Sequence, residues 1–185
     1  MNIKGLKSGA GFTLAEMMVM IAIFAVIFTL SLVNFRKGER LEVFRLATSH
    51  VASNIRQAQT LGLTGFGAEA DLNLAYGVYF DLEAPNQYLL FEDNNNNQIY
   101  DAGTDNITET VLLPEEVALS SYSGDGPVSI VFAPPKPTAY FTSGLTAFQT
   151  GEIKLQRTEF STKEGVVTLN TFTGQVSSKL QEIGE

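Results

Sequence analysis

The sequence predicts an α+β protein in which one long N-terminal helix is followed by an antiparallel β domain. Three observations carry this reading. An apolar run fills 12–33 with Glu16 as its one charge, and apolar residues recur at spacings of three and four through 41–58. Beyond residue 65 the chain breaks into short alternating or aromatic-rich runs separated by turn residues.

Within 17–33, MMVMIAIFAVIFTLSLV, no residue is charged and the polar ones are Thr29 and Ser31. About 20 such residues in helical form cross a bilayer core, so the run predicts a membrane-spanning helix. Lys4 and Lys7 precede it and Arg36, Lys37 and Arg40 follow it, so charge bias alone does not set its orientation. A cleavable secretory signal is a poorer match, because Leu30, Leu32 and Val33 lead into Asn34-Phe35-Arg36 with no small-residue cut site. Small residues lie before the run instead, at Ser8-Gly9-Ala10-Gly11. A cut there leaves the hydrophobic segment on the mature protein.

The pattern then becomes amphipathic. Leu41, Phe44, Thr48, Val51, Ile55 and Ala58 form a stripe, with Arg45, Ser49, Asn54, Arg56 and Gln57 elsewhere on the wheel. Gly62 and Gly65 read as helix stop signals. One rod is predicted over 12–61, membrane-spanning in 12–33 and amphipathic in 34–61, about 75 Å long at 1.5 Å per residue.

Strands are predicted at 76–80, 87–91, 107–113, 117–122, 128–132, 139–142, 152–157, 166–170 and 175–178. Nearly all the loops between them are too short for a crossover helix, which argues for antiparallel pairing. Pro85-Asn86, Gly124-Asp125-Gly126-Pro127 and Thr173-Gly174 are the clearest turns, and 134–137 reads as a stiff extended connection. Residues 62–185 therefore form a β domain.

Charge and composition exclude several functions. The 185 residues hold 12 Lys and Arg against 20 Asp and Glu, a net charge of -8, and 17 of the acids lie in 62–185. Such a domain repels phosphate backbones, which disfavours nucleic acid as a partner. With no Cys and a single His, His50, there is no disulfide, thiolate nucleophile, Cys-ligated zinc or His cluster. No G-x-S-x-G, H-E-x-x-H, Walker or G-x-G-x-x-G motif occurs. Glu115-Glu116 read as a solvated turn after Pro114, since adjacent strand residues face opposite ways. No catalytic residue is assigned, and the chain is read as non-enzymatic.

Gly11-Phe12-Thr13-Leu14-Ala15-Glu16, after a short basic leader and before an unbroken apolar helix, resembles the processing motif of bacterial type IV pilins and type II secretion pseudopilins. The resemblance implies that a prepilin peptidase cuts after Gly11 on the cytoplasmic face, removes 1–11 and methylates the new amine of Phe12. It implies a filament subunit, assembled through its N-terminal helix by an inner-membrane platform together with other pilin or pseudopilin subunits. Before assembly such a subunit is a single-pass protein of the cytoplasmic membrane with its C-terminal domain outside; afterwards it belongs to a pilus or pseudopilus. Within the superfamily the chain looks most like minor pseudopilins, which implies that the β domain has two sheets. An alternative from another class is a pilus-tip protein that binds DNA or a surface ligand.

Glu16 carries an argument of its own. An acidic residue in a membrane segment costs about 2.5 to 3.5 kcal/mol and is there for a function. On a continuous helix Phe12 and Glu16 are four apart and share a face, so the carboxylate faces an amine of its own chain or a neighbour's. The family resemblance implies the neighbour's.

The last candidate is a calcium site in the loop 93–105. Asp93, Asn95, Asn97, Ile99 through its carbonyl, and Asp101 fall at positions one, three, five, seven and nine of a D-x-[DN]-x-[DN] start. Gln98 replaces the usual Gly at position six, Asn96 or Asn97 is expected to absorb the turn, and Asp105 stands one residue beyond the usual final carboxylate. Similar acidic, Asn-rich loops occur in pseudopilins that bind calcium. The plain alternative is a solvated hairpin loop.

Overall fold

A computed structural model describes residues 11–64, 74–134, 139–144, 146–157 and 162–183, with side chains left aside at 32–38. Residues 1–10 of the leader, Gly65 and most of the connection 134–137 lie outside the described residues.

Among the described residues one helix, α1 (Leu14–Thr64), precedes ten strands. These are β1 (Ala75–Phe80), β2 (Gln87–Asp93), β3 (Asn106–Leu112), β4 (Val117–Tyr122), β5 (Val128–Phe132), β6 (Ala139–Ser143), β7 (Thr146–Phe148), β8 (Thr150–Arg157), β9 (Lys163–Asn170) and β10 (Gln175–Glu182). They form a six-stranded sheet in the order β3-β2-β1-β5-β6-β7 and a four-stranded sheet in the order β10-β9-β8-β4. Every strand pairing is antiparallel. The fold class is the one the sequence predicts, α+β with two sheets. β7 has three residues, too few to show alternation, and is absent from the predicted set.

The chain divides into two compact units, Met1–Leu41 and Glu42–Glu185. In the first, Leu14–Ser31 is apolar and none of it is buried. In the second, the C-terminal part of α1 shares one core with both sheets. Phe44, Val51, Ile55 and Ala58 pack with Val78, Phe80, Ile130 and Phe141 of the larger sheet and with Ile153, Leu155, Val167 and Leu169 of the smaller.

Polar contacts fix the helix to each sheet. Asn54 is buried and its Nδ2 donates to the Tyr88 hydroxyl at 2.9 Å, so it belongs to the inner face and not to the outer one the wheel assigns it. Arg56 Nη2 donates to the Val176 carbonyl at 2.8 Å and Gln59 Nε2 to that of Gly174 at 3.1 Å, both in the smaller sheet or its last turn.

Gly62 is likewise not a stop signal, since α1 continues to Thr64. It sits where a Cβ would collide with the Phe132 carbonyl oxygen, so it is a point of close backbone approach between helix and β5. Gly165 does the same on the other side, where a Cβ would meet the Thr48 side chain.

Candidate functional site

At the N-terminal motif, the first helical hydrogen bond runs from the Met17 N–H to the Thr13 carbonyl at 3.1 Å. Thr13 is therefore the N-cap, and Phe12 lies one residue outside the helix, 67% exposed. The sequence places Phe12 and Glu16 on one helix face; the structure instead pairs Glu16 with Thr13. The Glu16 N–H donates to Thr13 Oγ1 at 3.2 Å, while Glu16 Oε2 faces the Thr13 N–H and hydroxyl, each at 3.5 Å. This is a capping box, with two orphan donors of the first turn satisfied reciprocally. Its sequence signature, Thr-x-x-Glu before an apolar run, stands in plain view at 13–16. Thr13 is missed because the processing motif draws attention to Gly11, Phe12 and Glu16. Gly11 is exposed, with open space around it.

The loop 93–105 joins β2 to β3, and its carboxylates are turned inward. Asp93 is fully buried and Asp105 nearly so. Asp93 Oδ1 accepts from the Asn97 N–H at 3.2 Å and Oδ2 from that of Gln98 at 2.8 Å. Asp105 Oδ1 accepts from Asn94 at 3.0 Å and Oδ2 from Asp101 at 2.7 Å. Burial pushes the Asp93 carboxyl above the usual carboxylate range; the Gln98 N–H opposes that and the nearby Asp105 charge adds to it.

The loop is held down by Tyr100. Its ring lies 4.7 Å from that of Tyr79 and 5.2 Å from that of Phe91, and its N–H donates to Ser129 Oγ at 3.0 Å. Phe91, with Ala75 and Val131, forms a second small core, against which Tyr79 and Tyr100 pack.

The donors suit a hard cation, because all are oxygens. The backbone suits one too: Gln98 is left-handed, with φ 69°, at the sixth position where calcium loops place Gly, and Asn96 is left-handed beside it with φ 55°. The turn expected of Asn96 or Asn97 is thus shared by Asn96 and Gln98. The carboxylates do not enclose an ion by themselves, as no group of three Asp, Glu or His side chains among the described residues is placed to hold one. Asn95 and Asn97 stand beside them but turn amide nitrogen, not oxygen, to the carboxylate, their Nδ2 atoms donating to Asp101 Oδ2 at 3.1 and 2.5 Å. Turning each amide over exchanges its nitrogen for its oxygen, an assignment that rests on the hydrogen-bond network. The exchange gives up the bonds that Asn95 Oδ1 and Asn97 Oδ1 now accept from the N–H groups of Asn97 and Ile99.

Neither remaining candidate assembles a reactive group. His50 is exposed in an open apolar groove beside Val43, Leu46 and Pro114, where it is the one titratable lining residue among the described residues. Glu116, left-handed at φ 68°, accepts from Arg157 Nη2 at 2.7 Å, while Glu115 is exposed.

No family model and no curated protein matches the chain. Among solved structures it is similar to the minor pseudopilin EpsH from the type 2 secretion system of Vibrio cholerae. The two are 12% identical, and the likeness covers 77% of this chain and 98% of that one with a TM-score of 0.44.

Proposed function

We propose that the chain is a structural subunit, of the minor kind, of a type IV pilus or type II secretion pseudopilus. One observation carries the reading. Immediately after Gly11-Phe12 the chain presents Leu14–Ser31 as a helix with no buried residue, while the core of the second unit, Glu42–Glu185, is built from the C-terminal part of α1 and the two sheets. So long an exposed apolar stretch needs lipid or other apolar helices around it. Both are met in turn by a subunit that waits in the cytoplasmic membrane, with its β domain outside, and then packs into a filament. Prepilin peptidase cuts after Gly11 and methylates Phe12, and an assembly platform passes the subunit to its neighbours.

Mass spectrometry of the protein from its native host tests this, with a chain starting at Phe12 and carrying one added methyl as the expected result. Recovery of chain beginning only at Met1 would overturn it. Glu16→Val should insert in the membrane at least as well as the parent and fail to enter filaments, because the neighbour's Phe12 amine loses its partner.

The loop 93–105 is proposed as a weak calcium site, with Asp93, Asn95, Asn97, the Ile99 carbonyl, Asp101 and Asp105 as its ligands. The left-handed Gln98 and the buried, mutually repelling carboxylates favour it. Its role is structural: the ion neutralises the acids and ties β2 to β3. Affinity on the order of 10⁻⁴ to 10⁻³ M suits an extracellular module. Millimolar calcium should raise the thermal midpoint of a 38–185 fragment. No rise, or an equal rise in an Asp93→Ala, Asp101→Ala double variant, would reject the site.

A further inference from the structure

We infer that Thr13 is a positioning residue for Glu16: it holds the carboxylate within the subunit's own first turn until an assembling neighbour takes it over. The filament half of this statement rests on the function proposed above; the capping half rests on the box geometry alone.

Glu16 begins a helix whose next fifteen residues carry no charge. A carboxylate entering that environment without a donor loses its hydration and gains nothing in return. The box supplies the donors from within the chain. The Thr13 N–H and hydroxyl both face Glu16 Oε2, and the Thr13 hydroxyl oxygen in turn takes the Glu16 N–H. The arrangement also survives processing. Cleavage after Gly11 turns the Phe12 nitrogen into an amine, but the Thr13 N–H remains a peptide N–H and keeps its place.

Both carboxylate contacts are long, at 3.5 Å, whereas the backbone contact to Thr13 Oγ1 is 3.2 Å. The carboxylate is thus the weakly held half of the box. A charged amine from a neighbour outbids two neutral donors at that length, because it adds a direct charge–charge attraction that is strong where water is excluded. On handover Thr13 Oγ1 keeps the Glu16 N–H, so the helix start stays capped while the carboxylate changes partner.

The experiment uses the full chain in detergent micelles and in its host, with Thr13→Val, Thr13→Ser and Glu16→Gln. Thr13→Val should speed hydrogen exchange at the Glu16 amide about fivefold, the usual worth of an N-cap. Thr13→Ser and Glu16→Gln should leave it slow, since Ser and Gln both complete the box. Equal exchange in Thr13→Val and the parent would overturn the capping role. In the host, Glu16→Gln keeps the box and loses the charge, and should be missing from filaments. Thr13→Val keeps the charge and should enter them at the parental level or above. Exclusion of a membrane-inserted Thr13→Val would overturn the handover. If the parent itself enters no filament, the filament reading and the handover fall together, while the exchange rates still decide the box.

Discussion

Gln98 shows how far one residue can depart from its neighbours' preferences. Its φ of 69° costs an L-residue about 1 to 2 kcal/mol, and two hydrogen bonds make it hold: the Gln98 N–H and the Asn97 N–H both donate to the Asp93 carboxylate. Gln98→Gly should therefore raise stability by about 0.5 to 1 kcal/mol, the relieved strain less the freedom Gly adds to the unfolded chain. The denaturation midpoint of a 38–185 fragment measures it, and a lowered midpoint would mean that the Gln98 side chain contributes more than its backbone costs. Asp93 and Glu164 make stability depend on pH in opposite senses. Burial raises the Asp93 carboxyl, so its folded form binds a proton more tightly than the unfolded chain, and lowering the pH through that range stabilises. For Glu164, burial pushes the carboxyl up, but donors on Gln181 and Lys154 outweigh it and hold it below the usual range. Its contribution is present above the unfolded value and is lost as pH falls through the lowered one. In chelator, the midpoint of Asp93→Asn should gain less than that of the parent as the pH is lowered from neutral toward the ordinary carboxylate range. The calcium increment should shrink over the same interval, because protons compete for Asp93.

Among the elements, α1 shows what a sequence pattern can and cannot reveal. The stripe Phe44, Val51, Ile55 and Ala58 was legible because burial on one face leaves a period of 3.6, and all four are buried. Asn54 and Gly62 were not legible, because their reasons lie across the fold, in the Tyr88 hydroxyl and the Phe132 carbonyl. Hydropathy reads an Asn as solvent-facing and a Gly as a breaker, and neither partner is within 30 residues of sequence. The strands followed the same logic. β4 and β5 fall at their predicted bounds, where turn residues flank them closely, whereas β9 and β10 run beyond theirs through Lys163, Glu164, Lys179 and Glu182. A charged residue reads as loop whether it is exposed, as Lys179 and Glu182 are, or buried against a partner across the sheet, as Glu164 is against Lys154. At the candidate site, the oxygen donors of 93–105 were legible from spacing, but the inward burial of Asp93 and the anchoring of Tyr100 were not, since both depend on the outer face of the larger sheet. Gly62→Ala separates local from tertiary preference. Within an isolated helix the change gains about 1 kcal/mol; here the added methyl meets backbone that cannot rotate away, so a net loss of about 1 to 3 kcal/mol is expected. Urea unfolding of the fragment reads the sign, and a gain would show that the helix has room to shift from β5.

For the molecule as a whole, the question is which surfaces remain open to pairing once the β domain has folded. Four of the described strands end the two sheets, and each is blunted. In β3 the register with β2 skips Thr108, and Glu109 is exposed next to the bulge. In β4 the register with β8 skips Ser120. β7 is three residues long, and β10 exposes Gln175, Ser177, Lys179 and Glu182 along its length. Bulges, short length and charge are the means by which soluble domains avoid joining edge to edge. The domain also carries most of the chain's negative charge, so copies of it repel one another at low salt. The exposed apolar stretch Leu14–Ser31 holds Glu16 as its one charge and lacks that repulsion. A 38–185 fragment should remain monomeric by sedimentation at about 100 µM, in low salt and in 0.15 M salt alike, the Debye length of about 8 Å at the latter leaving edge blunting to act alone. The full chain should require detergent or bilayer and should associate within it. A fragment that dimerises at this concentration would place an assembly surface on the β domain, and the edge strand whose charge-adding variant dissolved the dimer, Thr110→Lys in β3 or Ser177→Lys in β10, would locate it.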